Sequence, residues 1–328
     1  MSAGAELFTL VRKGVAATNF GAEARKPFRF LLCGDPGLVA EFRALLLSGH
    51  SEGVPFDAPA TLETIDPSRS ASAAGPDARC VIFLARPGDL AGARLDLLQP
   101  LHLPIFVVTV DPAVTESHPS SAPAAGEAAE YIVPQIDRDS LRHRLFPHLI
   151  DHCKGIEIAV GRRLPPLREA VANKLTRNAA TSALWVAGAS ALADHIPVLG
   201  LVLGAVASAG DMVAITGIQI VLMVQIGAAY GKDPDVHRIW ELLPVVGGGF
   251  GWRALSRELA GFVPVAGVAI KAAIAYAGTI VVGEGSAFYY EHGRHMTAAQ
   301  AAALYDEKKR NAMVFSRDLF TRFKRSGK

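Results

Sequence analysis

Short apolar runs fill the first half of this chain and long ones the second. Phe28-Arg29-Phe30-Leu31-Leu32-Cys33-Gly34 reads as a buried strand closed by a glycine turn. Cys80–Ala85 and Ile105–Val110 have the length and β-branched content of parallel strands. Tyr131-Ile132-Val133 is a fourth run, ahead of a helix expected to start near Asp139. Ala40–Leu47 carries a helical pattern, and residues 3–24 read as a short amphipathic helix with Leu7, Leu10, Val11 and Val15 roughly on one face. Ser68–Asp77 and Ser117–Ala129 are Ser-, Ala-, Pro- and Gly-rich loops. Strands alternating with helical stretches predict a doubly wound α/β layer of about 120 residues.

The character changes around Arg162-Arg163-Leu164-Pro165-Pro166, a basic, proline-marked stretch expected to be a linker. Leu167–Leu192 beyond it is helical and Ala-rich, and from Asn178 to Gly283 only 11 of 106 residues are Asp, Glu, Lys or Arg. That is about half the density of the whole chain, where charged residues make up 20%. Asn178–Ala193, Ile196–Gly210 and Met212–Gly231 carry none. A helix rises about 1.5 Å per residue, so roughly 20 apolar residues cross the hydrocarbon core, and of the three only Met212–Gly231 reaches that length. Pro197, Gly210-Asp211, Gly231–Pro234, Pro244 and Pro264 are expected to divide the region into six or seven helices, and Thr297 with Gln300 marks the start of a last one reaching about Phe323.

Composition then limits the class. The chain has 328 residues, room for two domains, and is 50% hydrophobic with a net charge of +2. From Lys308 onward there are eight Lys or Arg against one acid, Asp318. Three cysteines with no paired spacing (Cys33, Cys80, Cys153) fit a reducing compartment and exclude a disulfide framework and a Cys-based zinc site. Arg12 and Lys13 interrupt the first apolar run, so no secretory leader is expected and the chain should lie on the cytoplasmic side.

The chemistry expected from motifs is sparse. Gly34-Asp35-Pro36-Gly37-Leu38-Val39-Ala40-Glu41 stands where a phosphate loop would follow the first strand. Such a loop needs G-x-x-x-x-G-K-[ST], for backbone donors, a lysine on the phosphates and a hydroxyl on Mg²⁺. Here Val39 replaces the second glycine, Ala40 the lysine and Glu41 the hydroxyl, while Pro36 removes a donor. A cation is lost and an anion put near the phosphates, so the site is degenerate and no nucleotide cofactor is expected. Asp111 is all that remains of a guanine-reading motif after Ile105–Val110, no D-x-x-G follows an appropriate strand, and Pro87-Gly88-Asp89 reads as a turn. His143, His148, His152 and Cys153 cluster on an expected helix with His148 and His152 four apart, but Pro147 and the neighbouring Arg142 and Arg144 weigh against a metal. His292 and His295 straddle a glycine at a helix end, which favours capping or solvent. No catalytic residue is expected, and the chain reads as a non-enzyme.

The apolar half leaves two readings open, a membrane-associated domain and a soluble bundle with an apolar core. Asp211 would cost about 2.5–3.5 kcal/mol at mid-bilayer but would favour a helix N-terminus. Gln219 and Gln225 would bond across a helix pair, Gly200 and Gly204 allow close helix approach, and Lys271 interrupts the apolar run Phe262–Gly283. The basic tail places Phe315, Leu319, Phe320 and Phe323 on one face, the pattern of a helix lying on anionic lipid, though it equally fits a last helix packed on the bundle. Arg162, Arg163, Arg168, Lys174 and Arg177 flank the apolar region, which by the positive-inside tendency puts both flanks in the cytoplasm. The tail lacks interleaved binding motifs, so nucleic acid is not an expected partner.

Residues from about Leu164 to Glu291 resemble the bacterial domain-of-unknown-function family 697. The match rests on Gly210-Asp211-Met212, Gln219 through Ala229-Tyr230-Gly231, and above all Glu241-Leu242-Leu243 to Tyr276-Ala277-Gly278-Thr279, a block with Lys271 in which Val245–Leu259 (Gly247, Gly248, Gly249, Gly251 and Arg253) and Val263–Gly267 are close to the family pattern. Leu199–Ala209 is longer than the family pattern leads one to expect there. The resemblance implies a membrane-associated helical domain after a GTPase-like or degenerate GTPase domain, with no catalytic residues. The expected organisation is an amphipathic helix (1–26), a degenerate P-loop GTPase-like α/β domain with a parallel sheet (27–155), an apolar all-α domain (156–293) and a basic amphipathic helix (294–328). The expected role is a non-catalytic scaffold at the cytoplasmic membrane, its soluble domain facing the cytoplasm and docking an unknown protein partner, with a homo-oligomer compatible. The alternatives are a GTPase with an unorthodox phosphate loop and a soluble helical partner-binding protein.

Overall fold

The computed structural model describes residues 20–51, 53–66, 75–89, 95–114, 121–189, 211–233 and 268–326. The chain divides into two compact units, one formed by residues 21–174 with 229–231 and the other by 1–20, 175–228 and 232–328.

The first unit is α/β. Five strands, β1 (Arg29–Gly34), β2 (Leu62–Thr64), β3 (Ala78–Ala85), β4 (Ile105–Val110) and β5 (Ala128–Val133), form one sheet in the order β2-β1-β3-β4-β5. Every pairing is parallel, with Leu32 opposite Ile82, Phe83 opposite Val107 and Thr109 opposite Ile132 in register. All six residues of β4 are buried, which is why that segment reads as an unbroken apolar run. β2 is only three residues long and has no apolar periodicity, so sequence pattern passes over it.

The crossovers depart from the expected alternation. The connection from β1 to β2 carries α1 (Pro36–Leu46), but from β3 to β4 the described residues hold only the single 3₁₀ turns Leu95–Leu97 and Gln99–Leu101. Those turns still cover one sheet face, where Leu31, Cys33, Val81, Leu98, Ile105 and Val107 pack with Leu95, Leu101 and Leu103. After β5 come three short helices, α2 (Arg138–Arg142), α3 (Phe146–Asp151) and α4 (Glu157–Arg163). α2 starts a residue before the expected Asp139 because the Asp137 carboxylate caps it, accepting the Ser140 N–H at 2.7 Å.

The basic, proline-marked stretch is not an open linker. Leu164 and Leu167 are fully buried, and Arg163 is 7% exposed. Arg163 pairs with Asp57 at 2.5 Å, donates to the carbonyls of Lys26 and Arg25 at 3.2 and 3.3 Å, and lies over the Phe28 ring. Lys174 pairs with Asp151 at 2.5 Å, and Arg168 donates to the Gly161 carbonyl at 3.1 Å. The basic flank expected on the cytoplasmic side of the apolar region is therefore tied down in part within the α/β unit. This is also why the chain stays in one compact unit as far as Lys174.

The second unit is helical. It holds α5 (Arg168–Ala189) from Leu175 onward, α6 (Asp211–Ala229) except its last residue, α7 (Val268–His292) and α8 (Ala298–Ser326). α8 begins with the expected capping box: the Gln300 N–H donates to Thr297 Oγ1 at 3.2 Å and the Thr297 N–H to Gln300 Oε1 at 3.0 Å. The expected span Met212–Gly231 is helix α6, whose 19 residues rise about 28 Å, just short of a hydrocarbon core of roughly 30 Å. Among the described residues no helix is long and apolar enough to cross a membrane.

Candidate functional site at the first strand–helix junction

In parallel α/β sheets, ligands bind at the carboxyl ends of strands where neighbouring connections diverge, here beside β1. The strand ends at Gly34 and α1 starts at Pro36, so Asp35 alone joins them. Val39, Ala40 and Glu41, read as loop positions, lie inside α1, with Val39 buried and the other two exposed. Gly37 sits in the first turn of α1, and a Cβ there would meet only Asp35 Oδ1 at 3.1 Å. Gly34 is a glycine for a backbone reason. Its φ is +109°, and a Cβ would stand 2.0 Å from the Leu84 carbonyl oxygen of β3.

The position an anionic ligand would take is filled by the chain itself. Asp35 Oδ1 accepts the Leu38 N–H at 2.9 Å, and its other oxygen lies 3.6 Å from Arg86 Nε, just beyond β3. The Leu38 N–H, then Arg86 and the Gly37 N–H, hold the Asp35 carboxyl below its ordinary range. Pro36 occupies the first helical position, where its missing N–H costs nothing. A helix N-terminus with its own carboxylate and no cradle of free donors does not favour a second anion.

Beside this junction is a cleft of about 440 Å³ lined by Cys33, Gly34, Pro36, Val39, Ala40, Arg43, Thr64, Ile65 and Asp66. Arg43 donates to the Pro59 carbonyl at 3.3 Å, and burial pushes the Cys33 thiol up to about 12, which disfavours its thiolate. Asp111 closes a turn by accepting the Ala113 N–H at 2.9 Å, and the Arg86 N–H donates to Asp89 in the turn expected at Pro87-Gly88-Asp89.

The histidine cluster is spread over two short helices and their ends, with His143 terminating α2, His148 inside α3 and His152 at its end. His148 lies 5.6 Å from the Tyr131 ring and His152 meets Phe106 edge-on at 5.6 Å, so both pack against the sheet. Burial lowers the His152 pKa. Among the described residues no group of His, Cys, Asp or Glu is arranged to hold a metal ion. Cys33, Cys80 and Cys153 are buried free thiols.

In the helical unit, Gln219 is 2% exposed and donates to Thr279 Oγ1 of α7 at 3.3 Å, the cross-helix bond expected of it. Gly283 faces Thr176, whose Oγ1 would lie 2.1 Å from an added Cβ. Asp211 opens α6 and Lys271 lies in α7. Tyr230 belongs to the α/β unit and lies under the Arg168 guanidinium at 5.5 Å. Gly210, Gly247, Gly248, Gly249, Gly251, Arg253 and Gly267 lie outside the described residues, as does most of the 1–26 helix. Sequence reading missed the Asp35–Arg86 pair, because the two are 51 positions apart and only the parallel register of β1 and β3 joins them.

No family model, no curated protein and no solved structure matches this chain.

Proposed function

We propose that this protein is a non-catalytic, membrane-associated interaction protein. In this reading a degenerate GTPase-like α/β domain is held at the cytoplasmic face by an apolar helical domain akin to family 697. The observation that carries it is a helical unit whose buried polar groups are bonded between or within its helices while apolar side chains also reach its surface. Gln219, Thr279, Ser286 and Thr176 are at most 3% exposed, whereas Ile218, Ile220 and Val221 of α6 are only partly buried. Hydrogen-bonding residues buried among apolar ones such as Leu222, Ile226 and Ile274, with further apolar side chains such as Ile220 reaching the surface, suit helices whose surroundings are lipid. Because no described helix is both long and apolar enough to cross, the unit is read as seated in the membrane as a group of helices rather than through one span.

The absence of catalysis rests on the first junction, where Asp35 fills the helix N-terminus and Gly34 serves the sheet. Phase separation of purified full-length protein in a cloud-point detergent tests the membrane half of the reading. Recovery in the detergent-rich phase is expected, and recovery in the aqueous phase would reject it. Titration with fluorescent GTP and ATP analogues tests the other half. No saturable binding is expected, while saturable binding lost on Gly37→Val would revive the GTPase alternative.

A further inference from the structure

α8 turns one face to α7 and another away from it. It packs back along α7, with Lys308 Nζ 3.9 Å from Glu284 Oε1. Ala301, Tyr305, Lys308 and Ala312 recur at alternating steps of four and three, the spacing of one helix face. All four are at least partly covered, and Ala312 is 4% exposed. In the sequence Phe315 and Leu319 continue the same series. The apolar stripe of the tail is therefore an extension of the face by which α8 packs on α7, and it is the other side that is left for a partner.

That other side is exposed at Ala303, Asp306, Glu307, Arg310 and Val314. Its charge changes sign along the helix. Asp306 and Glu307 come first, and from Lys308 onward eight Lys or Arg stand against Asp318 alone, a net charge of +7. Arg310, Arg317 and Lys324 are seven apart, two helical turns each time, and so follow one line along α8. The helix dipole accounts for little of this. It favours cations in the last turn, whereas Arg310 and Arg317 precede the end of α8 at Ser326 by more than two turns.

We infer that this basic side of α8 contacts the headgroups of anionic phospholipid, an inference that rests on the membrane-associated reading above. The excess of cations is complementary to a negatively charged leaflet. Val314, four residues after Arg310 and so on the same side, is 66% exposed. An apolar side chain among cations fits a bilayer interface, where the charges meet phosphate and the apolar group sits below them. Among the described residues, none exposed between Ala303 and Val314 is aromatic, so this side offers no ring on which a nucleic-acid base would stack.

The test is flotation of the full-length protein with vesicles of phosphatidylcholine alone or mixed equally with phosphatidylglycerol. Wild type is compared with Arg310→Gln, with R310Q/R317Q/K324Q and with the charge-keeping R310K/R317K/K324R, and thermal melting reports folding. Wild type is expected to prefer the anionic vesicles and to lose that preference in about 1 M salt. The triple glutamine variant is expected to bind anionic vesicles at least roughly tenfold more weakly, and R310Q about threefold. The charge-keeping variant should match wild type, and all should bind neutral vesicles alike. R310Q, at an exposed position, carries the comparison if the triple variant melts early. No preference of wild type for anionic vesicles, or equal binding by wild type and the glutamine variants, would overturn the assignment and leave the membrane reading standing. A duplex oligonucleotide bound more tightly than the anionic vesicles would overturn it in favour of nucleic acid. Wild type that floats with neither vesicle would overturn the membrane reading and this contact together.

Discussion

Gly34 and Asp35 decide what the first junction can do. A side chain at Gly34 has no room, because the backbone is at φ +109° and the Leu84 carbonyl occupies the Cβ position. Gly34→Ala is expected to destabilise the α/β unit by at least about 3 kcal/mol, read from urea denaturation. An unchanged midpoint would show that the close approach of β1 and β3 is not as described. His152 sets a pH dependence. Burial favours its neutral ring, so its folded value lies below the ordinary 6.5, with Asp151 opposing the shift and His148 and Lys174 adding to it. As pH falls below 6.5 the unfolded chain takes up the proton first, so stability declines until the folded value is passed and is then level. His152→Phe, which keeps a ring against Phe106, is expected to make that decline shallower and to leave the part set by His50, whose value burial also lowers. Asp35, Asp77 and Asp137 carry the opposite kind of shift, with folded values below the ordinary 3.8. Their contribution is present above 3.8 and is lost as pH falls through their folded values, a separate and more acid window.

The elements differ in how legible they were. β1, β3, β4 and the end of β5 announce themselves as short apolar runs, since strands buried on both faces have no polar side to hide. β2 escaped because three residues held by pairing to β1 need no apolar pattern of their own. Between β3 and β4 the described residues hold two 3₁₀ turns in place of a crossover helix, and this was unreadable for a related reason: a few leucines on those turns cover the sheet face. The Thr297–Gln300 cap was readable because its spacing is its mechanism. Arg163 was misread because charge in sequence says nothing of a partner 106 positions away, and Asp57 turned a linker residue into a buried anchor. Packing in the helical unit gives a sharp test at Gly283. An added side chain there meets the whole of Thr176, with its Cβ atom at 2.8 Å as well as its hydroxyl. Gly283→Leu is expected to cost about 2–3 kcal/mol, seen as a lower melting temperature. A neutral effect would mean that α5 and α7 do not meet at this point.

For the whole molecule, the proposed role divides between the two units. The α/β unit has a parallel sheet whose first junction is capped by its own carboxylate, beside the cleft that Cys33 and Arg43 line. The helical unit buries a few hydrogen-bonded polar residues, Gln219, Thr279 and Ser286, among apolar ones such as Leu222, Ile226 and Ile274. Extraction behaviour separates a lipid-seated domain from a water-soluble bundle directly. Membranes from cells expressing the full-length chain would be washed with high salt and then with alkaline carbonate. The account predicts that the protein stays in the pellet through both washes. Its recovery in the soluble fraction before any wash would contradict the account, and the apolar helices would then be the core of a soluble interaction bundle.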